Sequence, residues 1–395
     1  MRVDIEYYDV KHRQALKDRS FAFNKMEELI TSGLEFTKWE LFSMCIFKHQ
    51  QLNNIGHKTY RELQNHIVTF CKSWEYYFDF TGNTIISRYP SSDVDTSITE
   101  TIGDGCGLLI ANQIYNLVEP DWEKIPTSNK IGTLDFGIAS TGQSFIEIET
   151  KGSVIEQNAK TSKISNHKTS IEVKKDDQRK NDNNHELIGI ISAFPTNQNL
   201  TAKAYLLDPP AVNIPYDPFK YKLLARLYYY WQELRMISRA HFIEILINRI
   251  KTIQMLEDYR SIDKLPILNR NGEPHGIPAS LFESRSYTKD MNFFGEVIPL
   301  TTKRDEFIFY GYRREVIDAL LKQSFEDICS IKFDTEHLNE VPVLAKIPKF
   351  ISTDTTPRIN ESEDDEDKNR KLVPMLGDLH CLSSGKIIGI VRPSD

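Results

Sequence analysis

An α/β chain is predicted (α+β in layout), with a mixed central sheet between helical N- and C-terminal regions. Three observations predict it. Residues from about 10 to 85 repeat apolar side chains at three- and four-residue spacings, the period of a helix. Near residue 134 the period changes to two, in "LDFGIAS" and "SFIEIETKG", and two further strand-like runs follow, "ELIGIISAF" and "AKAYLLDPP". Helical periodicity then returns in "KYKLLARLYYYWQELRMI" and "RAHFIEILINRIKTIQML".

In chain order, "FNKMEELITSGLEFTKWELFSMCIF" and "TYRELQNHIVTFCKSWEYYFDF" form the N-terminal helical region, and "TGNT" and "RYPSSD" end it. The next helix carries one apolar stripe: Ile102, Cys106, Leu109, Ile110, Ile114 and Leu117. Thr141-Gly142 marks a hairpin between the first two strands. Residues 152–186 read as polar and irregular. After the two long helices come "FFGEVIPL", "EFIFYGY" and the helical "REVIDALLKQSFEDI"; residues 353–371 have the composition of a disordered acidic linker, and "GDLHCLSSGKIIGIVR" reads as a final hairpin. The expected division is a helical region at 1–88, a core at 89–215, a mainly helical domain at 216–350, an acidic linker at 351–372 and a hairpin tail at 373–395.

The 395 residues suffice for two or three units, and 40% apolar with 27% charged residues is ordinary for a globular protein. A net charge of −7 gives no global basic signal, so any nucleic-acid contact must come from a local patch. Five scattered cysteines without a CxxC pair point away from a disulfide framework or structural zinc and toward a reducing cytoplasm. The charged N-terminus and the lack of any long apolar window exclude a secretory signal or a membrane-spanning helix.

The chemistry lies in "FIEIETKGS", residues 145–153. Strand alternation puts Phe145, Glu147, Glu149 and Lys151 on one face and Ile146, Ile148 and Thr150 on the other. A three-residue loop at 141–143 places Asp135 opposite Glu149; a two-residue loop places it opposite Ile148 and mixes the faces. Two adjacent carboxylates repel unless a cation lies between them, and such oxygen donors suit Mg²⁺ or Mn²⁺. Lys151, one strand period on, is placed to activate water or stabilise charge on phosphorus. Metal, water and cation together are the chemistry of phosphodiester hydrolysis.

Asp135 followed by Glu149-Thr150-Lys151 on the next strand resembles the motif of the PD-(D/E)XK nuclease superfamily, and the element order is similar to its restriction-endonuclease-like αβββαβ core. The likeness covers Ser97 to Pro210. It implies that Asp135 and Glu149 bind the metal, with the Ile148 carbonyl as a further ligand, that Lys151 assists the water, and that Glu100 on the preceding helix orients metal or water. Gly103 and Gly107 follow Glu100 along one side of that helix, so this side can approach the sheet closely. Leu134 replaces the proline of the motif. Glu147 has no fixed role. The resemblance further implies DNA as partner, with RNA as the alternative, a homo-oligomer with a dimer favoured, and a role in restriction or antiviral defence.

Other readings stand beside these. Glu172-Val173-Lys174 repeats the Glu-x-Lys pattern in "TSIEVKKD", a run that reads as a short strand. Ser97 and Glu100 have capping-box spacing. Residues 151–185 hold eight basic against five acidic residues, the mark of a mobile basic loop in which Lys174, Lys175, Gln178 and Arg179 are the expected phosphate contacts. "GDGCG" lacks phosphate-loop spacing, and Cys106 belongs to the apolar stripe. Tyr228 to Trp231 in "LYYYW" fits base stacking or core packing, with helical spacing favouring the core. The alternatives to a DNA endonuclease are an RNA- or structure-specific nuclease and a binding scaffold with a decayed site; the presence of Asp135, Glu149 and Lys151 speaks against decay.

Overall fold

The computed structural model describes residues 1–53, 60–123, 138–157, 160, 162–176, 185–208, 217–237, 241–277, 286–299, 306–348 and 370–394. The chain divides into two units, Met1–Ala225 and Arg226–Asp395.

The first unit is built on a six-stranded mixed sheet. Its strands are β1 (Arg2–Tyr7), β2 (Leu34–Glu35), β5 (Ile138–Ser140), β6 (Phe145–Ile155), β7 (His185–Pro195) and β8 (Lys203–Leu207), in the order β2-β1-β8-β7-β6-β5. β1 and β8 run parallel, as do β6 and β7; the other pairs are antiparallel. β3 (Phe78–Asp79) and β4 (Ile86–Ser87) form a separate small hairpin. The helices are α1 (Val10–Arg19), α2 (Phe23–Ser32), α3 (Lys38–Asn53), α4 (Tyr60–Tyr77), α5 (Thr96–Tyr115) and α6 (Ser162–Asp176).

The N-terminal region, expected to be helical and separate from the core, contributes β1 to the same sheet. Val3 and Ile5 are buried while Arg2, Asp4 and Glu6 alternate with them, so the strand period was present in a segment read only for its charge. The expectation of a polar, irregular stretch over 152–186 is corrected as well: β6 continues to Ile155, and 162–176 is α6, the crossover that parallel β6 and β7 require. Its apolar anchors Ile164 and Ile171 are seven residues apart, one per two turns, too sparse to register as a helical stripe.

α5 and α6 cover opposite faces of β6 and β7. α5 is buried along nearly its whole length and sits against the even-numbered face of β6. An added Cβ at Gly103 would come within 2.3 Å of the Gly152 Cα, and at Gly107 within 2.5 Å of Thr150 Cγ2. The close approach expected from those two glycines is therefore realised. Ile171 of α6 lies over Gly189, the β7 partner of Glu149 on the odd-numbered face.

The second unit contains the closing part of α7 (Pro218–Ile237), then α8 (Phe242–Met255) and a closed barrel. The barrel strands are β9 (Ser286–Thr288), β10 (Phe293–Pro299), β11 (Phe307–Arg313), β12 (Glu336–Pro348), β13 (Arg370–Cys381) and β14 (Lys386–Pro393), in the order β10-β11-β14-β13-β12-β9. The expectation of a mainly helical 216–350 with a separate hairpin tail is corrected: β9 to β12 come from the first stretch, and the tail closes the barrel with them. β10 and β11 are buried on both faces, so they read as continuous apolar runs without alternation. Phe293, Phe309, Val343, Leu379 and Ile387 belong to the barrel's core. Of the expected acidic linker at 351–372, residues 351–369 lie outside the described residues, and 370–372 open β13 instead.

"LYYYW" proves to be packing. Tyr229 is 1% and Tyr230 0% exposed. The Tyr229 and Tyr312 hydroxyls lie 3.0 Å apart, and Tyr312 donates to Glu233 at 2.6 Å, with the Lys386 ammonium 3.5 Å from the same carboxylate.

Candidate active site

β6 carries the candidate residues because its two faces meet different neighbours. On the odd-numbered face, Phe145 packs edge-on against Tyr221 with ring centroids 5.6 Å apart. Glu147 and Glu149 follow, each 1% exposed, and the Lys151 side chain is 20% exposed. Lys151 Nζ is 2.9 Å from Glu149 Oε1. A carboxylate so deeply buried needs a cation or hydrogen bonds to stay charged, and the lysine supplies the first. Lys151 is also the more exposed partner of the pair.

The turn before β6 differs from the expected one. Ser140 is the direct partner of Phe145, so four residues, Thr141 to Ser144, connect the strands instead of three. The Thr141 N–H donates to the Ser144 carbonyl at 2.9 Å, and Gly142 takes the positive φ of 95°. The Lys222 ammonium donates to the Thr141 carbonyl at 3.3 Å, and Ser140 Oγ donates to the Pro218 carbonyl at 2.7 Å, so the start of α7 clamps the turn. In this register Ile138 pairs with Glu147 and Ala139 with Ile146. Ile138 therefore shares a face with Glu147, where a three-residue loop would have paired it with Ile146. Asp135 lies outside the described residues.

The opposite face of β6 fixes it to α5. Thr150 Oγ1 donates to the Asp104 carboxylate, which also pairs with the Lys48 ammonium of α3. All three residues are buried. Ile148 is fully buried on this face.

Glu100 lies in the first turns of α5 and is exposed. The capping-box alternative for Ser97 and Glu100 does not hold: Asp95 is the N-cap and accepts from the Ser97 N–H at 2.8 Å, while Ser97 lies inside the helix. Asp95 wins because an Asx cap two residues upstream satisfies the same free N–H groups.

His167 on α6 was not foreseen. It lies three residues after Ile164 and four before Ile171, on the helix face turned toward the sheet. Burial, then the Lys151 charge, hold its imidazole below the usual histidine range; Lys163 acts in the same sense, while Glu100 and a hydrogen bond to the Gly152 backbone oppose it. His167 therefore joins Glu100, Lys151 and the end of β6 in one neighbourhood. The sequence held only the weak cue of a histidine at i+3 from an apolar anchor.

The rival pair is separated from this site. Glu172 and Lys174 belong to α6, not to a strand; Glu172 lies 3.5 Å from His12 Nε2 and 3.4 Å from Lys168 Nζ. Lys174 and Lys175 fall in the last turns of α6, and Gln178 and Arg179 lie outside the described residues.

Near the starts of β6 and β7, Glu186 accepts from Ser20 Oγ and, at 2.7 Å, from the Tyr115 hydroxyl. Burial holds its carboxyl above the ordinary value of 4.5, and the Asp208 charge adds to this. Cys106 is buried at the Ser192 side chain, and burial pushes its thiol up to about 12, which leaves it unreactive.

Glu149 and the Ile148 carbonyl are hard oxygen donors of the kind that suit Mg²⁺. Among the described residues no group of three or more His, Cys, Asp or Glu side chains converges as a metal site, and no helix is long and apolar enough to cross a membrane. No family model matches this chain, and neither a curated protein nor a solved structure is similar to it.

Proposed function

We propose that the chain is a Mg²⁺-dependent nuclease with a restriction-endonuclease-like core, hydrolysing the phosphodiester bonds of DNA. The observation that carries this reading is the buried Glu149 carboxylate paired at 2.9 Å with the more exposed Lys151, on a strand whose crossover helix α6 leads to a parallel neighbour. Between α5 and α6 the described residues hold two strands, β5 and β6, where the αβββαβ pattern that the motif implies has three.

In this reading Asp135, Glu149 and the Ile148 carbonyl hold the metal, which when bound supplies Lewis acidity to a phosphate oxygen. Lys151 meets the scissile phosphate with a positive charge and stabilises the negative charge that grows on its oxygens as water attacks phosphorus and the P–O bond to the leaving nucleotide breaks. Glu100 orients the water. Mn²⁺ can replace Mg²⁺, and a homodimer would serve cleavage of both strands, in restriction or antiviral defence.

The test compares wild type, Glu149→Ala and Lys151→Ala on plasmid DNA and on RNA, with Mg²⁺ or EDTA. The reading expects Mg²⁺-dependent DNA cleavage by wild type alone. Equal cleavage by all three proteins refutes it, cleavage of RNA alone reassigns the substrate, and cleavage by none leaves the binding-scaffold reading.

A further inference from the structure

A second feature of the first unit reaches α6 through Ser91. Tyr76 and Tyr77 end α4, and Tyr89 follows β4. Their rings form one cluster: Tyr76 stacks on Tyr89 with centroids 5.4 Å apart and planes 28° apart, Tyr77 meets Tyr76 edge-on at 5.0 Å, and Tyr77 lies 5.9 Å from Tyr89. Tyr76 remains 60% exposed.

The cluster is held in place by its backbone. The Arg88 N–H donates to the Tyr77 carbonyl at 2.9 Å, and Ser87 Oγ donates to the Tyr89 carbonyl at 2.8 Å. The neighbouring Tyr76 side chain holds the Tyr89 phenol above its ordinary range. A large aromatic ring at 60% exposure, fixed by two others, gains nothing from core packing.

Two residues beyond Tyr89, Ser91 accepts a hydrogen bond from the Lys163 ammonium at the start of α6. Four residues further, about 6 Å along the axis, is His167, which feels the charges of Lys163 and Lys151. The order of groups is thus an exposed ring, a cation, and then the Lys151–Glu149 pair. A nucleic-acid strand presents the complement, a base followed by phosphates.

We propose that Tyr76, backed by Tyr77 and Tyr89, is a stacking platform for an unpaired base, and that the substrate of the Glu149–Lys151 site is nucleic acid with a single-stranded segment. Lys163 neutralises the backbone between platform and site. This deepens the nuclease reading and rests on it for the substrate's fate, while the platform itself is tested by binding alone. A flat face open on one side selects bases without reading sequence, because every base has a π-face. Paired bases in a duplex are already stacked and leave the platform empty.

The experiment measures fluorescence anisotropy of a fluorescein-labelled thymidylate 20-mer and of a 20-base-pair duplex, in EDTA so that nothing is cut. Tyr76→Ala should weaken binding of the 20-mer by about tenfold, the worth of one stacked base, with duplex binding unchanged. Tyr76→Trp, which keeps a ring, should restore it. Equal affinity of wild type and Tyr76→Ala for the 20-mer overturns the proposal, as does an equal loss for both probes or no binding of the 20-mer by wild type. Cleavage that needs Glu149 and Lys151 alongside an unaltered Tyr76→Ala affinity removes the platform and keeps the nuclease. Weakened 20-mer binding in a protein that cleaves nothing does the reverse.

Discussion

Lys151 Nζ lies 2.9 Å from Glu149 Oε1, two residues away on the same face of β6. The pair joins stability to chemistry, since the cation proposed to meet the phosphate is also a partner of a carboxylate that is 1% exposed. Lys151→Met should therefore lower cleavage by about 10²- to 10⁴-fold, the usual contribution of such a group. It should also reduce stability to urea, because a buried charge loses a cation. A variant with wild-type turnover would remove Lys151 from the mechanism.

Glu172 and Lys174 share the Glu-x-Lys spacing but lie on α6, where Glu172 is near His12 and Lys168. The double variant Glu172→Ala/Lys174→Ala should cleave plasmid like wild type. A loss equal to that of Glu149→Ala would move the site to α6.

The contact of α5 with β6 depends on missing side chains. Gly107→Val would put branched carbon where Thr150 Cγ2 already stands, and Gly103→Ala would meet the Gly152 backbone. Each should destabilise the protein by about 1–3 kcal/mol or more, the range of overpacked cores. A shift in urea midpoint without a change in slope is the expected signature.

The buried Lys48–Asp104 pair invites a double-mutant cycle. Lys48→Met alone should cost about 3–5 kcal/mol, as breaking a buried pair does. Lys48→Met/Asp104→Asn should recover part of this, since no buried charge then remains. Additive losses would show that the pair is not coupled.

Glu186 gives a pH signature. Its folded carboxyl sits above the ordinary 4.5, so the folded state binds the proton more tightly than the unfolded chain. Its favourable contribution is complete below that ordinary value and is lost as pH rises through the folded one. Glu186→Gln should thus be more stable than wild type at pH 8, with the advantage shrinking as pH falls toward 4. An advantage independent of pH would contradict the linkage.

What was legible followed the local period. Alternation in 145–151 divided the faces of β6 correctly, and Gly103 and Gly107 announced the close approach of α5. The turn was less legible: "STGQS" allows two, three or four linking residues, and its clamp comes from Lys222 and Pro218, some 80 residues away. The four-residue turn also reverses, over residues 138–140, the parity on which the pairing of Asp135 with Glu149 depends. α6 was missed because its one-sided burial needs only Ile164 and Ile171, and the barrel because strands buried on both faces do not alternate. The tyrosine platform left no local signal, for Tyr76 and Tyr89 are brought together only by the β3–β4 hairpin.

β14 comes last in chain order among the barrel strands, yet it is inserted between β11 and β13. During synthesis both neighbours must wait with open hydrogen-bonding edges until residues 386–393 leave the ribosome. In that interval the nascent barrel can pair with foreign strands. Its closure is then a late event timed by translation, and a ribosome stalled before Lys386 would release an aggregation-prone sheet in place of a barrel.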